Sequence, residues 1–148
     1  MALADSSPRQ RRRCWFVVES LFDWADPTTA HFWEAASKEQ LVIQQCGACR
    51  QYQFYPRPFC LACDSDDIGW VAASGRGTVY SQTTVHLKAA PELGLVTPYV
   101  VAVVQLEEGP RLLTNLTGEA CRIGSPVQVG WRSRQGQAPV PVFGPATP

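Results

Sequence analysis

From residue 78 to residue 143, apolar and polar positions fall into short runs separated by Gly and Pro. Residues 78–85 are rich in β-branched side chains, residues 111–117 are mixed, and residues 126–131 alternate clearly. Such runs bounded by turn residues predict strands. Residues 99–106 form a near-continuous apolar run, which predicts a strand buried on both sides. Residues 140–143 predict a last edge strand, and turns fall at 74–77 and 107–110. Four or five short strands with Gly/Pro turns predict a small Greek-key barrel, and an OB-like barrel fits the size.

Upstream, residues 41–44 read as a strand, and residues 52–58 as a return limb that Pro56 and Pro58 confine to an edge or an irregular path. Asp26-Pro27 is a helix start, with Asp as N-cap and Pro at the first helical position. The helix that follows, residues 29–38, puts Phe32, Trp33 and Ala36 on one side. A helix of about three turns is marginal alone and needs a surface to pack against. Two large aromatics are generous for so short a segment. Phe32 and Trp33 are therefore candidates for partner binding, while packing on their own domain is equally open.

Composition narrows the function classes. The 148 residues carry 13 Lys+Arg and 13 Asp+Glu, so the formal net charge is zero. That balance disfavours a binder driven by phosphate attraction. From residue 72 onward there are six basic and four acidic residues, a thin surplus for a strand-binding groove. No apolar run approaches the ~18 residues of a membrane span. The Arg-rich stretch at residues 9–13 is followed by too short an apolar run for a secretory signal. It is expected to be part of a disordered basic tail, and the chain to be cytoplasmic with reduced cysteines. The expected organisation is a tail at 1–20, helix plus ribbon at 21–70, a barrel at 71–135, and a Pro/Gly-rich C-terminal segment at 136–148.

Six cysteines then become informative. Cys46, Cys49, Cys60 and Cys63 follow the spacing C-x2-C-x10-C-x2-C. Two residues between sulfurs let a tight turn aim both at one point, and ten more return the chain in a hairpin. Four thiolates so placed close a tetrahedron around Zn2+, leaving no position for water or substrate, so the site is structural. Iron held by the same four thiolates stays open. Arg50 and Asp64 stand where such turns often carry Gly, so each turn must do without glycine's freedom at positive φ. Cys14 and Cys121 lie outside the pattern, and Cys121 reads as a buried, inert thiol. The acidic stretch at residues 64–67 reads as a solvated loop.

An ordered set of short motifs carries a resemblance. It comprises Phe32-Trp33-Glu34, the cysteine quartet with Pro56-Arg57-Pro58-Phe59-Cys60, Ser74-Gly75-Arg76-Gly77-Thr78-Val79-Tyr80-Ser81 and Thr84-Val85-His86. Pro98-Tyr99-Val100-Val101-Ala102, Leu106-Glu107-Glu108-Gly109 and Arg122-Ile123-Gly124 follow in order. From about residue 22 to residue 132 the chain resembles the acyl-CoA-associated zinc-ribbon/OB-fold proteins, once catalogued as a domain of unknown function.

The resemblance implies a mainly β fold: an N-terminal helix, a rubredoxin-like zinc ribbon, then a small OB-fold barrel. It implies a non-catalytic accessory subunit of a thiolase-superfamily enzyme, such as a thiolase, a C-acyltransferase or a retro-aldolase. The partner would be a thiolase-like or ketosynthase-like subunit that carries the catalytic residues, with acyl-CoA at the shared interface. It supports the docking reading of Phe32 and Trp33, and assigns no catalytic residue here. The alternative function is a single-stranded nucleic-acid-binding module, since zinc ribbons and OB barrels both serve that role.

Overall fold

The computed structural model describes residues 26–89, 91–118 and 121–146. The Arg-rich stretch and Cys14 lie outside these residues. Among the described residues one α-helix, α1 (Pro27–Ser37), precedes eight strands, and a single 3-10 turn spans Pro91–Leu93. The Asp26 side chain accepts from the Thr28 amide at 2.9 Å, and Pro27 occupies the first turn. At the other end Glu39 takes a left-handed φ of 57°. Its amide and that of Gln40 return to the carbonyls of Ala36 and Ala35, closing the last turn in a Schellman arrangement. The helix buries Phe32, Ala35 and Ala36.

Strands β1 (Val42–Cys46), β2 (Tyr52–Gln53) and β3 (Ile68–Ala72) make an antiparallel sheet in the order β2-β1-β3. The central strand β1 is buried along nearly its whole length, which explains its apolar start. The return limb pairs for only two residues before Pro56 and Pro58 take it out of the ladder.

The remaining strands are β4 (Arg76–Val85), β5 (Tyr99–Leu106), β6 (Arg111–Leu116), β7 (Pro126–Arg134) and β8 (Gln137–Pro145). They close a barrel in the order β4-β5-β6-β8-β7, with β7 returning to β4. All pairings are antiparallel except β6 with β8, which meet in parallel at Leu116 and Phe143. This is the five-stranded OB-fold barrel. Val79, Ala102, Val104, Leu106, Leu112, Val127 and Phe143 belong to one buried cluster that also takes in Phe32, Leu41, Val42 and Ile43. The helix, β1 and the barrel thus share a single core. Gly77 is required by close approach: a Cβ there would lie 2.6 Å from the Gln105 carbonyl oxygen and 2.7 Å from Val104 Cγ1.

Two expectations are corrected. β5 is buried on one side only; Ala102, Val104 and Leu106 face the core, whereas Val101 and Val103 are half-buried and Gln105 is exposed. The expected edge strand at 140–143 is the middle of β8, a full barrel strand. Its prolines are tolerated because pairing to β6 is confined to Leu116 and Phe143, while β7 pairs with β8 from Val127 with Pro145 to Arg132 with Val140 and again, past an irregularity, at Arg134 with Gln137. Where Pro141 has no ladder partner on β6, the Thr114 hydroxyl donates to its carbonyl at 2.9 Å.

Candidate metal centre

The two cysteine pairs sit in backbone turns of the same design. In the first, the amide of Arg50 donates to the Cys46 carbonyl at 2.9 Å and the amide of Cys46 to the Gln51 carbonyl at 2.9 Å. In the second, Asp64 donates to the Cys60 carbonyl at 3.0 Å and Cys60 to the Ser65 carbonyl at 2.8 Å. The offsets of four and five residues are identical. Arg50 and Asp64 adopt φ of 64° and 58°, the left-handed conformation that glycine would take without cost. Amides also point at sulfur: Cys49 N–H at Cys46 Sγ and Ala62 N–H at Cys60 Sγ, each 3.4 Å.

These turns bring all four sulfurs within 4.8 Å of one another. Cys46 and Cys63 are 3.7 Å apart, Cys49 and Cys60 3.5 Å. Sulfurs about 2.3 Å from a central ion stand about 3.8 Å apart in a tetrahedron. The donor set therefore fits one structural metal ion, held by four thiolates. Cys46 and Cys60 are buried, and Cys63 is exposed at the rim. The Cys49 amide, above all, holds the Cys46 thiol down to about 7. At Cys63 the Ser65 amide favours the thiolate, but the sulfurs of Cys49, Cys46 and Cys60, with desolvation, outweigh it and push the thiol up to about 12. At Cys49 the Gln51 amide acts the same way, and desolvation with the Cys60 and Cys46 sulfurs again raises the thiol. Four negative charges cannot share so small a volume without a cation.

The irregular chain between the turns is held by two buried amides that motif reading overlooks. Gln44 Oε1 accepts from the Arg57 amide at 2.8 Å, and Gln44 Nε2 donates to the Arg57 carbonyl at 3.0 Å. Gln53 Nε2 donates to the Phe59 carbonyl at 3.1 Å, and Gln53 Oε1 accepts from the Leu61 amide at 3.0 Å. Their signal in sequence is a glutamine in each of the two short strands that flank the first cysteine pair. The acidic turn also packs: the Asp67 carbonyl accepts from Gly47 at 2.8 Å, and its carboxylate fills the space a Cβ at Gly47 would need.

Phe32 is 5% exposed and faces Phe54 of the ribbon, with ring centroids 5.5 Å apart. Trp33 meets it edge-on and is half-buried. Both line a cavity of about 330 Å³ where the helix, the ribbon and the barrel meet; Tyr55, Leu113, Arg132 and Pro141 complete much of its wall. Cys121 is buried, and desolvation raises its thiol. His31 lies against the Trp70 ring on the ribbon, His86 follows β4, and neither belongs to the cluster of four sulfurs.

Known proteins share this arrangement. Residues 33–69 match the family described as "ChsH2, rubredoxin-like zinc ribbon domain", and residues 70–132 the family described as "ChsH2, C-terminal OB-fold domain". Over 121 residues the chain is 45% identical to the "Probable enoyl-CoA hydratase alpha subunit" of Thermomonospora curvata. That match takes in 79% of this chain and 37% of the relative, so the chain spans little more than a third of that protein. It is 36% identical over 75 residues to the "Benzoylsuccinyl-CoA thiolase subunit BbsA" of Geobacter metallireducens, covering 51% of this chain and 49% of BbsA. One chain of the solved "Ltp2-ChsH2(DUF35) aldolase" is 42% identical and superimposes with a TM-score of 0.75. There the match covers 82% of this chain and 97% of the other.

Proposed function

This chain belongs to the ChsH2-type (DUF35) family of zinc-ribbon and OB-fold proteins, and from that premise we propose that it is a non-catalytic accessory subunit of a thiolase-superfamily enzyme. The partner, thiolase-like or ketosynthase-like, acts on acyl-CoA or acyl substrates and supplies the reacting groups. The carrying observation is the match along nearly the full length of the DUF35 chain of an aldolase named for two components, Ltp2 and ChsH2. The closed thiolate centre supports the same reading, because a metal with four protein ligands offers no open position for substrate. The metal is Zn2+ in this proposal, with iron as the competing occupant. Reduced thiols are a further requirement, which fits a cytoplasmic location. Among the described residues no helix is long and apolar enough to cross a membrane.

The test uses Ltp2 as the probe partner. The full chain and Ltp2 are purified separately and together, and each preparation is assayed for aldol cleavage and for co-elution on size exclusion. A stable complex, with no turnover by this chain alone, is the expected result. Turnover by this chain alone, or the lack of any complex, overturns the proposal. Elemental analysis of the purified chain reads zinc against iron directly.

A further inference from the structure

The outward face of β5 carries an apolarity that the barrel does not use. Alternate residues Ala102, Val104 and Leu106 fill the core, which accounts for one face of the strand. On the other face Val101 and Val103 remain only half-buried. In register with Val103 on β6 stands Leu113, 56% exposed, and from β4 comes Tyr80, 50% exposed. An antiparallel sheet with one wet face ordinarily alternates apolar with polar, so a run apolar on both faces points to a covering surface.

The patch is continuous with the cavity at the junction of helix, ribbon and barrel. Leu113 lines both, and beyond it the cavity wall runs through Trp33 to Tyr55, which is 55% exposed. An apolar face next to a recess lined with aromatics is the form of a protein docking site in which an anchor side chain is desolvated. Glu107, at the edge of the patch beside Tyr80, is paired with Arg76, so the charges left over on the patch and the cavity wall are guanidinium groups. The Arg111 guanidinium lies 3.6 Å from the centroid of the Tyr80 ring and meets no carboxylate among the described residues. Arg132, on the cavity wall, has a buried Nε without an acceptor. A second copy docking through the same patch would bring guanidinium groups to both sides, so charge favours an unlike partner.

We propose that the outer face of β4, β5 and β6, together with the adjoining cavity, is the docking surface for the enzyme subunit, whose contacting surface is apolar and places a carboxylate opposite Arg111. The proposal rests on the accessory-subunit reading above and adds the face and its complement.

Titration of Ltp2 onto the immobilised full chain tests it, with metal content and circular dichroism confirming that each variant is folded. Leu113→Glu is expected to weaken binding about 30-fold, the effect of a hot-spot residue. Arg111→Glu should weaken it comparably and Arg111→Lys far less, whereas Leu61→Glu, on the exposed ribbon surface, should bind as the parent does. If the parent chain binds and Leu113→Glu and Arg111→Glu bind equally well, the docking face is wrong while the accessory reading stands. If the parent itself fails to bind, both fall. Sedimentation showing a parent dimer that Leu113→Glu dissociates would overturn the unlike partner in favour of a second copy.

Discussion

Gln53 Nε2 donates to Gln44 Oε1 at 2.9 Å inside the ribbon, joining two buried side chains of neighbouring strands. Each glutamine also bonds the backbone of the proline-rich segment that leads to Cys60. The pair replaces the ladder that Pro56 and Pro58 forbid, and so positions the second half of the metal centre. Gln53→Leu keeps the volume and orphans the Leu61 amide, at a cost of about 1–3 kcal/mol. Faster metal loss to a chelator, together with a lower thermal midpoint, is the expected reading.

The two left-handed residues at the cysteine turns give an ordered prediction. Arg at positive φ costs about 1 kcal/mol, and Asp tolerates that region better. Arg50→Gly should therefore stabilise the metal-loaded chain more than Asp64→Gly does. Parallel denaturation curves of the two variants decide the order; equal midpoints would contradict it.

Metal loading should release protons. At neutral pH Cys49 and Cys63 hold theirs, because their thiols are raised, whereas Cys46, at about 7, is partly ionised. Binding a cation requires thiolates, so affinity should rise with pH and fall more steeply as pH drops through about 7, where Cys46 also becomes protonated. Calorimetric titration of the reduced, metal-free chain with Zn2+ in buffers of different ionisation enthalpy is expected to count at least two protons per ion at pH 7.

Losing a ligand should be severe but uneven. Metal contributes about 10–16 kcal/mol in small zinc peptides, so Cys60→Ser should unfold β1 and β2. The barrel ladder of β5 with β6 is independent of the thiolates and should keep its amide protection. Hydrogen exchange by segment measures this, and equal loss in both regions would show that the shared core couples them fully.

Phe32 and Trp33 are neighbours with different consequences. Phe32→Ala removes a buried ring and should destabilise the fold by about 3–5 kcal/mol. Trp33→Ala, at the half-exposed cavity wall, should cost less stability and more Ltp2 affinity. Thermal melts beside binding titrations separate the two roles.

Much of this was open to sequence reading because its signals are local. Asp26-Pro27 starts the helix where the cap chemistry says it must, and residues 99–106 coincide with β5. The cysteine spacing implies convergence because two-residue turns leave sulfurs few directions to point. Less accessible was whatever depends on distant partners. β8 looked like an edge because its prolines lack donors, and only the closure of the barrel shows that β6 asks almost nothing of them. β5 looked buried on both sides because apolarity does not say whether the cover comes from the same chain. Gln44 and Gln53 are ordinary polar residues until the loop they hold is in place.

The parallel contact of β8 with β6 has a consequence for how the protein comes into being. β4, β5 and β6 can pair as soon as they leave the ribosome, since each is followed closely by its neighbour. The gap between β6 and β7 is filled only by residues 137–145, near the end of the sequence. Until that segment emerges, the nascent sheet has two unpaired edges with Leu112 and Leu116 uncovered between them, a state open to pairing with other chains. A stall or premature stop ahead of residue 137 therefore leaves an adhesive, open sheet rather than a shortened barrel.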